Sequence, residues 1–310
     1  MPYSIAGSPS SNFLYIVNKD DSDVSVLSID PATGSLAAVG APIRVPINAL
    51  SLVIHPSGNF LYVTNDVQPG TISALRIDRK NGPLSPVPTS PFAAGAGVPD
   101  SLAVTPSGKF LYVTVAPPSN ISGYAIDAGT GALAPIAGSP FAAGMGAKGI
   151  AVSPSGRFLY AADSYGGTIL AYAINQSGGA LAPIAGSPFQ AGSHPSALTI
   201  DPDGRFLYAS NETALGTISA FRIDQNSGAI APVAGSPFAT GGAPRAMAID
   251  PSGKFLSATL QGENEQPSSN MNGKLASFRI DTATGALTPI AGSPFDAGEY
   301  PTAVAIVQSK

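Results

Sequence analysis

The sequence predicts an all-β fold, a β-propeller of four-stranded antiparallel blades. Three observations carry that expectation. Phe-Leu-Tyr recurs at Phe13-Leu14-Tyr15, Phe60-Leu61-Tyr62, Phe110-Leu111-Tyr112, Phe158-Leu159-Tyr160 and Phe206-Leu207-Tyr208, and is altered to Phe255-Leu256-Ser257. The intervals are 47, 50, 48, 48 and 49 residues, a regularity that marks a repeat architecture. Each repeat divides into apolar runs of four to seven residues bounded by turn residues, too short for helices. Gly and Pro make up 65 of the 310 residues and fall mainly between those runs.

The fifth repeat shows the elements in order. Ala197-Leu198-Thr199-Ile200 is a first strand, Pro202-Asp203-Gly204 a turn, and Phe206 to Ser210 a second strand. Thr217 to Ile223 is a third strand, Asp224 to Gly228 a turn, and Ala229 to Val233 a fourth strand. Gly235-Ser236-Pro237-Phe238 then reads as a connector to the next repeat. Pro-Ser-Gly at Pro56, Pro106 and Pro154 supplies a fixed φ followed by a residue free to take positive φ. Asp-x-x-Thr-Gly at Asp30, Asp127 and Asp281 fits a short hairpin closed by a left-handed glycine. Within the second strand, Phe and Tyr point to one face and Leu to the other. Both faces are apolar, as stacking between two neighbouring blades requires.

Six repeats predict six blades in a single domain spanning residues 1–310. The ends are uneven. Pro2 to Pro9 aligns without gaps to Pro244 to Pro251, so the N-terminus carries a first strand, and Pro301 to Ile306 is another. There are thus seven first strands and six sets of the other three. In a six-bladed arrangement one terminal strand fills the first blade and the other is spare. The alternative is a seven-bladed arrangement whose seventh blade lacks three N-terminal strands.

Composition excludes several classes. A net charge of −4 with 15 Lys and Arg argues against a nucleic-acid surface. The absence of cysteine removes disulfides, thiolate nucleophiles and thiolate metal sites. No run of 18 apolar residues predicts a transmembrane helix. Little Lys, no Cys and much Gly, Pro, Ser and Thr fit an extracytoplasmic location, periplasmic or secreted, although no signal peptide is read at Met1. A monomer is expected.

Tyr62-Val63-Thr64-Asn65 resembles the YVTN propeller repeats, and Pro202-Asp203-Gly204-Arg205-Phe206-Leu207-Tyr208-Ala209-Ser210-Asn211-Glu212 resembles the lactonase-type propellers. That group includes bacterial 6-phosphogluconolactonase and fungal carboxymuconate-lactonising enzyme. The resemblance covers nearly the whole chain. It implies seven blades, activity without metal or other cofactor, and a central cleft in which Arg, His and Glu bind or protonate a carboxylate or lactone. On it, Glu212 matches the family's Asn-Glu glutamate, Arg245 its late-blade Pro-Arg arginine and Gln261, loosely, a glutamine after the last blade's second strand. The family's Pro-Arg-His motif is replaced here by Pro195-Ser196-Ala197, with His194 one residue before it.

The residues themselves point to the start of each first strand, which lies near the axis of a propeller. Six residues before the turn proline stand Tyr3, Leu50, Asp100, Lys148, Ser196 and Arg245, with Thr302 in the C-terminal copy. Asp100, Lys148 and Arg245 are candidate substrate-binding residues, since the two cations suit an anion and Arg can grip a carboxylate with two donors. The same charges would also serve simply to solvate a channel mouth. His194 and Glu212 are candidate proton carriers; the alternatives are a linker histidine and an ordinary loop carboxylate. The insertion from Gln261 to Gly273 is longer than its counterparts and is placed to cap one mouth of the channel. Two functions follow. One is hydrolysis or formation of a small anionic sugar-acid lactone. The alternative is a non-catalytic propeller that binds a protein or glycan through its loops.

Overall fold

The structure, a computed structural model, describes residues 1–9, 11–261 and 272–307. No helix long and apolar enough to cross a membrane is present among them. The strands form six antiparallel sheets, each assembled in chain order, and these are the six blades of a β-propeller. The inner strands are Pro2–Gly7, Ala49–Ile54, Val98–Val104, Ala147–Val152, Pro195–Ile200 and Ala243–Ile249. The second strands begin at each Phe-Leu-Tyr copy, from Phe13–Asn18 in blade 1 to Phe255–Gln261 in blade 6.

The fourth strand of every blade is broken in two. In blade 5, Ile230–Pro232 pairs with one half of the third strand, Thr217–Ile223, and Phe238–Ala239 with the other half. Gly-Ser-Pro-Phe, expected as a connector, therefore ends inside the blade. At the break the third strand would lose a hydrogen-bond acceptor, and the serine hydroxyl supplies one. Ser236 Oγ accepts from Ala220 N at 2.9 Å, and Ser90, Ser139, Ser187 and Ser293 accept the equivalent bonds at 2.8–3.0 Å. The Ser-Pro peptide at each of these five breaks is cis.

The chain divides into two compact units. The first comprises Met1–Ala143, Ile174–Leu181 and Val307–Lys310, the second Gly144–Ala173 and Ala182–Ile306. Both use the repeat in the same way. In the first unit Phe60 and Tyr62 pack with Leu111, Val113 and Leu133 of the following blade, whereas Leu61 packs with Tyr15 and Val17 of the preceding one. The tyrosine hydroxyls reach further. Tyr15, Tyr62 and Tyr112 donate to the carbonyls of Gly82, Gly131 and Gly179, each the turn glycine one blade on, at 3.3, 3.0 and 2.7 Å. In the second unit Tyr160 and Tyr208 donate to Gly228 and Gly285 at 2.8 and 3.0 Å. That turn glycine is irreplaceable on two counts. Gly131 sits at φ +79°, and a Cβ there would come within 2.4 Å of the Phe60 ring.

Residues 301–306 repeat the inner-strand pattern but belong to none of the six sheets. Within the second unit Pro301 lies against Gly273, where a Cβ would meet its Cδ at 1.9 Å. Pro99, at the head of blade 3, lies against Gly70 in the same way in the first unit. Pro301 thus meets the third strand of blade 6 as Pro99 meets that of blade 2.

Candidate functional site

The inner strands carry a local irregularity where the site residues stand. Pairing with the second strand skips between Ala147 and Ile150 in blade 4, Pro195 and Leu198 in blade 5, and Pro244 and Met247 in blade 6. The skipped residues open with Lys148, Ser196 and Arg245. A β-bulge frees a residue from the ladder and re-aims its side chain. It also leaves an amide without its ladder partner. In blade 5 Ser210 Oγ accepts from Ala197 N at 2.8 Å, and in blade 6 Thr259 Oγ1 accepts from Ala246 N at 3.1 Å. Thr64 and Thr114 do the same for Ser51 and Ser101 in the first unit, at 3.0 and 3.1 Å. These buried hydroxyls are a supporting layer that sequence reasoning missed. Their signal was a Thr or Ser two residues after the Phe-Leu-Tyr position in four of six repeats.

Three charged side chains of the second unit converge on one carboxylate. Glu212 directly follows the second strand of blade 5, Phe206–Asn211. Its Oε2 is 3.9 Å from Lys148 Nζ, and its Oε1 is 2.9 Å from Arg245 Nε. Three consecutive blades, 4, 5 and 6, therefore each supply one member. All three side chains are part-buried. The Arg245 contact rests on charge rather than on an aligned hydrogen bond. Its Nε–H is buried and makes no hydrogen bond among the described residues. The strand before Glu212 is held firmly: Asn211 Nδ2 donates to Thr217 Oγ1 and Ser219 Oγ, both at 2.9 Å.

The other sequence candidates fall as follows. His194 precedes the blade 5 inner strand at φ +53°, and its carbonyl accepts from Glu212 N at 3.0 Å. It is tied to the glutamate through the backbone, with its side chain exposed. Gln261 ends the second strand of blade 6 and pairs with Ala243, two residues from Arg245. Asp100 lies in the first unit, at the bulge of the inner strand Val98–Val104, where its carbonyl accepts from Thr64 Oγ1 at 3.2 Å. The insertion after Gln261 lies, from 262 to 271, outside the described residues. Among the described residues no three His, Asp or Glu side chains gather as a metal site would need.

The cluster offers two cations and one carboxylate, a net surplus of one positive charge beside a proton-accepting group. That set can hold an anionic or strongly polarised oxygen and move a proton next to it.

Comparison with known proteins gives the family. The family model described as lactonase, 7-bladed beta-propeller, matches residues 48–145, 137–234 and 182–306. No curated protein sequence matches the chain. Among solved structures, a candidate 6-phosphogluconolactonase of Bacteroides fragilis is 22% identical, with a TM-score of 0.80, 99% of this chain and 87% of that one being covered. Its counterpart from Bacteroides uniformis is 21% identical with the same TM-score, over 94% and 85% of the two chains. The periplasmic gluconolactonase of Pseudomonas aeruginosa is 21% identical with a TM-score of 0.73, over 95% and 87%. At such identities the likeness is one of fold. With its repeats, its blades and a family match running from residue 48 to residue 306, the chain belongs to the lactonase family of β-propellers.

Proposed function

We propose that the protein acts on a small anionic lactone, hydrolysing it or forming it, with Glu212 as the proton carrier and Lys148 and Arg245 as the binding cations. The observation that supports this most is the bridging of both cations by the one carboxylate. In the hydrolytic direction Glu212 takes a proton from water as the water oxygen bonds to the lactone carbonyl carbon. The carbonyl oxygen gathers negative charge, which Arg245 and Lys148 offset. The ring C–O bond then breaks, and the proton passes from Glu212 to the departing alkoxide, giving a hydroxy acid. The Nε–H of Arg245, ion-paired with Glu212 Oε1 at 2.9 Å but not aligned to hydrogen-bond it, is a donor that a substrate oxygen can take up. His194 is the second proton carrier of this reading; its carbonyl accepts from Glu212 N at 3.0 Å.

The experiment is lactone turnover by the purified chain, followed as acid release with gluconolactone and 6-phosphogluconolactone. Glu212→Gln is expected to lower kcat by about 10² to 10⁴, the usual worth of a positioned acid or base. Arg245→Ala is expected to lower kcat as well as raise KM, because Arg245 both binds the substrate and offsets the charge that develops on the carbonyl oxygen. Absence of turnover with any lactone, or a Glu212→Gln variant as active as the parent, overturns the reading.

A further inference from the structure

The approach to an inner strand comprises the three residues standing four to two positions before that of Lys148, and the blades build it in two ways. Blades 4 and 6 put the first residue at positive φ, Gly144 at +75° and Gly241 at +80°. Blades 2 and 5 put the third residue there, Asn48 at +56° and His194 at +53°. The two forms treat one buried side chain differently. In blade 4, Asp163 ends the second strand and accepts from Met145 N at 3.1 Å and Gly146 N at 2.8 Å, both amides of the approach. Its counterparts in blades 2 and 5 are Asn65 and Asn211, 0% and 1% exposed. Among the described residues neither Oδ1 has a hydrogen-bond partner. Positive φ at the third residue thus goes with a buried oxygen that the approach amides do not meet, a costly arrangement.

The approach of blade 5 has the residues to take either form. Its first residue is Gly192, free to adopt positive φ as Gly144 does. The corresponding residue in blade 2 is Pro46, whose ring keeps φ negative and locks that approach. Gly192 already lies on the Asn211 amide, where a Cβ would come within 2.4 Å, as Gly144 lies on the Asp163 carboxylate at 2.1 Å. One bond is common to both forms: His194 O accepts from Glu212 N at 3.0 Å, and Gly146 O from Ser164 N at 2.9 Å. Conversion of blade 5 to the blade 4 form keeps that bond and brings two amides to the Asn211 oxygen. It also moves positive φ from a histidine to a glycine, and Pro195 favours extended backbone in the residue before it. Against it stands one crowded contact. A Cβ at Gly146 would lie 2.7 Å from the Tyr165 ring and 3.1 Å from Tyr165 N. A side chain at the third residue is turned, in that form, onto the second residue after the strand, which in blade 5 is Thr213.

We infer that Gly192-Ser193-His194 is a two-state loop. In one form, that of the structure, His194 has positive φ, its side chain is exposed and the Asn211 oxygen is unmet. In the other, built as in blade 4, Gly192 takes the positive φ and the amides of Ser193 and His194 bond the Asn211 oxygen. The imidazole is then carried onto Thr213, the residue after Glu212. Asn211 is a positioning residue, and its buried oxygen is the catch that the loop engages. The two forms stand independently of the lactone reading; what they add to it is the movement that brings its second proton carrier beside the glutamate.

The test is nuclear magnetic resonance of the full chain labelled with 15N in histidine alone, which gives two backbone amide signals, His55 and His194. His194 is expected to exchange on the microsecond-to-millisecond scale with a second form populated at about 1–10%, while His55 shows no exchange. Asn211→Asp sets blade 4's carboxylate under the loop, and Thr217 and Ser219 offer it hydroxyl donors. This variant should hold the second form, moving the His194 amide downfield and ending its exchange. Asn211→Ala removes the catch and should end the exchange with the amide near the parent's position. Thermal unfolding checks that the variants fold, and the parent's own exchange decides the matter if either does not. A parent His194 signal without exchange overturns the inference, as does an Asn211→Asp signal at the parent's position. The two readings fail separately. Exchange at His194 without turnover of any lactone sinks the catalytic reading alone, and turnover by a chain whose His194 does not exchange sinks the loop alone.

Discussion

The turn Asp30–Gly34 in blade 1 and the turn Asp127–Gly131 in blade 3 are built alike. Asp30 Oδ1 accepts from Ala32 N and Thr33 N at 2.8 and 3.0 Å; Asp127 Oδ1 accepts from Gly129 N and Thr130 N at 3.1 and 2.8 Å. Both end on a glycine at positive φ, +72° and +79°. Their surroundings are opposite. Gly131 meets the Phe60 ring of blade 2, whereas a Cβ at Gly34 would meet nothing within 4 Å. Two residues beyond each turn glycine the contrast repeats: Leu133 is 7% exposed and Leu36, its counterpart in blade 1, is 54% exposed. Hairpin chemistry is therefore local and alike in the two blades, whereas the packing around it is not: the Phe60 ring of the preceding blade lies at Gly131, and nothing stands within 4 Å of a Cβ at Gly34. Sequence repetition alone does not reveal which blades are covered.

The sharpest way to break this comparison is to shorten the two leucines. Leu133→Ala is expected to cost about 2–5 kcal/mol through lost burial and the cavity left behind. Leu36→Ala should stay within about 0.5 kcal/mol. Denaturant unfolding of the pair reads the difference, and equal losses would mean that Leu36 is covered in solution. A smaller effect is expected from Tyr62→Phe, which leaves the Gly131 carbonyl without its donor, at about 1 kcal/mol. The same tyrosines set an alkaline limit. Burial pushes the Tyr15 phenol up to about 12 and Tyr62 and Tyr112 higher still. An acid whose folded pKa is raised gives its full stability below the unfolded value, about 10, and loses it as pH rises beyond that. The unfolding midpoint should hold to about pH 10 and then fall, less steeply in Tyr62→Phe.

The smallest effect should be the same in both blades. Backbone N–H donors hold the carboxyl of Asp30 below the usual range, and the Thr130 hydroxyl together with backbone N–H donors does so for Asp127. A depressed carboxylate stabilises above the ordinary carboxylate range, and that stability fades as pH falls through the folded value. Asp30→Asn and Asp127→Asn should lower the midpoint slightly and equally at pH 7 and converge with the parent in acid. Unequal shifts would show that packing reaches into the turn.

These contrasts also show what could be read from the chain. Strand order, hairpin glycines and the direction of Phe60, Leu61 and Tyr62 follow from local rules that act within a few residues. The members of the cluster were named in advance on two grounds, Lys148 and Arg245 by their shared repeat position and Glu212 by the family resemblance, but the repeat position named Asp100 equally and does not tell which of its occupants meet. The bulge-filling hydroxyls of Thr64, Thr114, Ser210 and Thr259 were not foreseen, because a Thr in a strand carries no sign of which amide it will meet. Gly-Ser-Pro-Phe misled for the opposite reason: its turn residues punctuate the interior of a strand.

That broken fourth strand bears on how the molecule avoids its own kind. The outermost strand of a blade is a free edge, and most proteins guard such edges with charge. Only 11% of this chain is charged. The rim of blade 5 instead offers three paired residues, Ile230–Pro232, then a serine and a proline, then two more, Phe238–Ala239. No stretch of it is long enough to template a neighbouring chain, and the proline has no N–H to lend. Interruption takes the place of electrostatic repulsion as the guard against edge-to-edge aggregation, which lets a sparsely charged repeat protein multiply its edges without multiplying its risk.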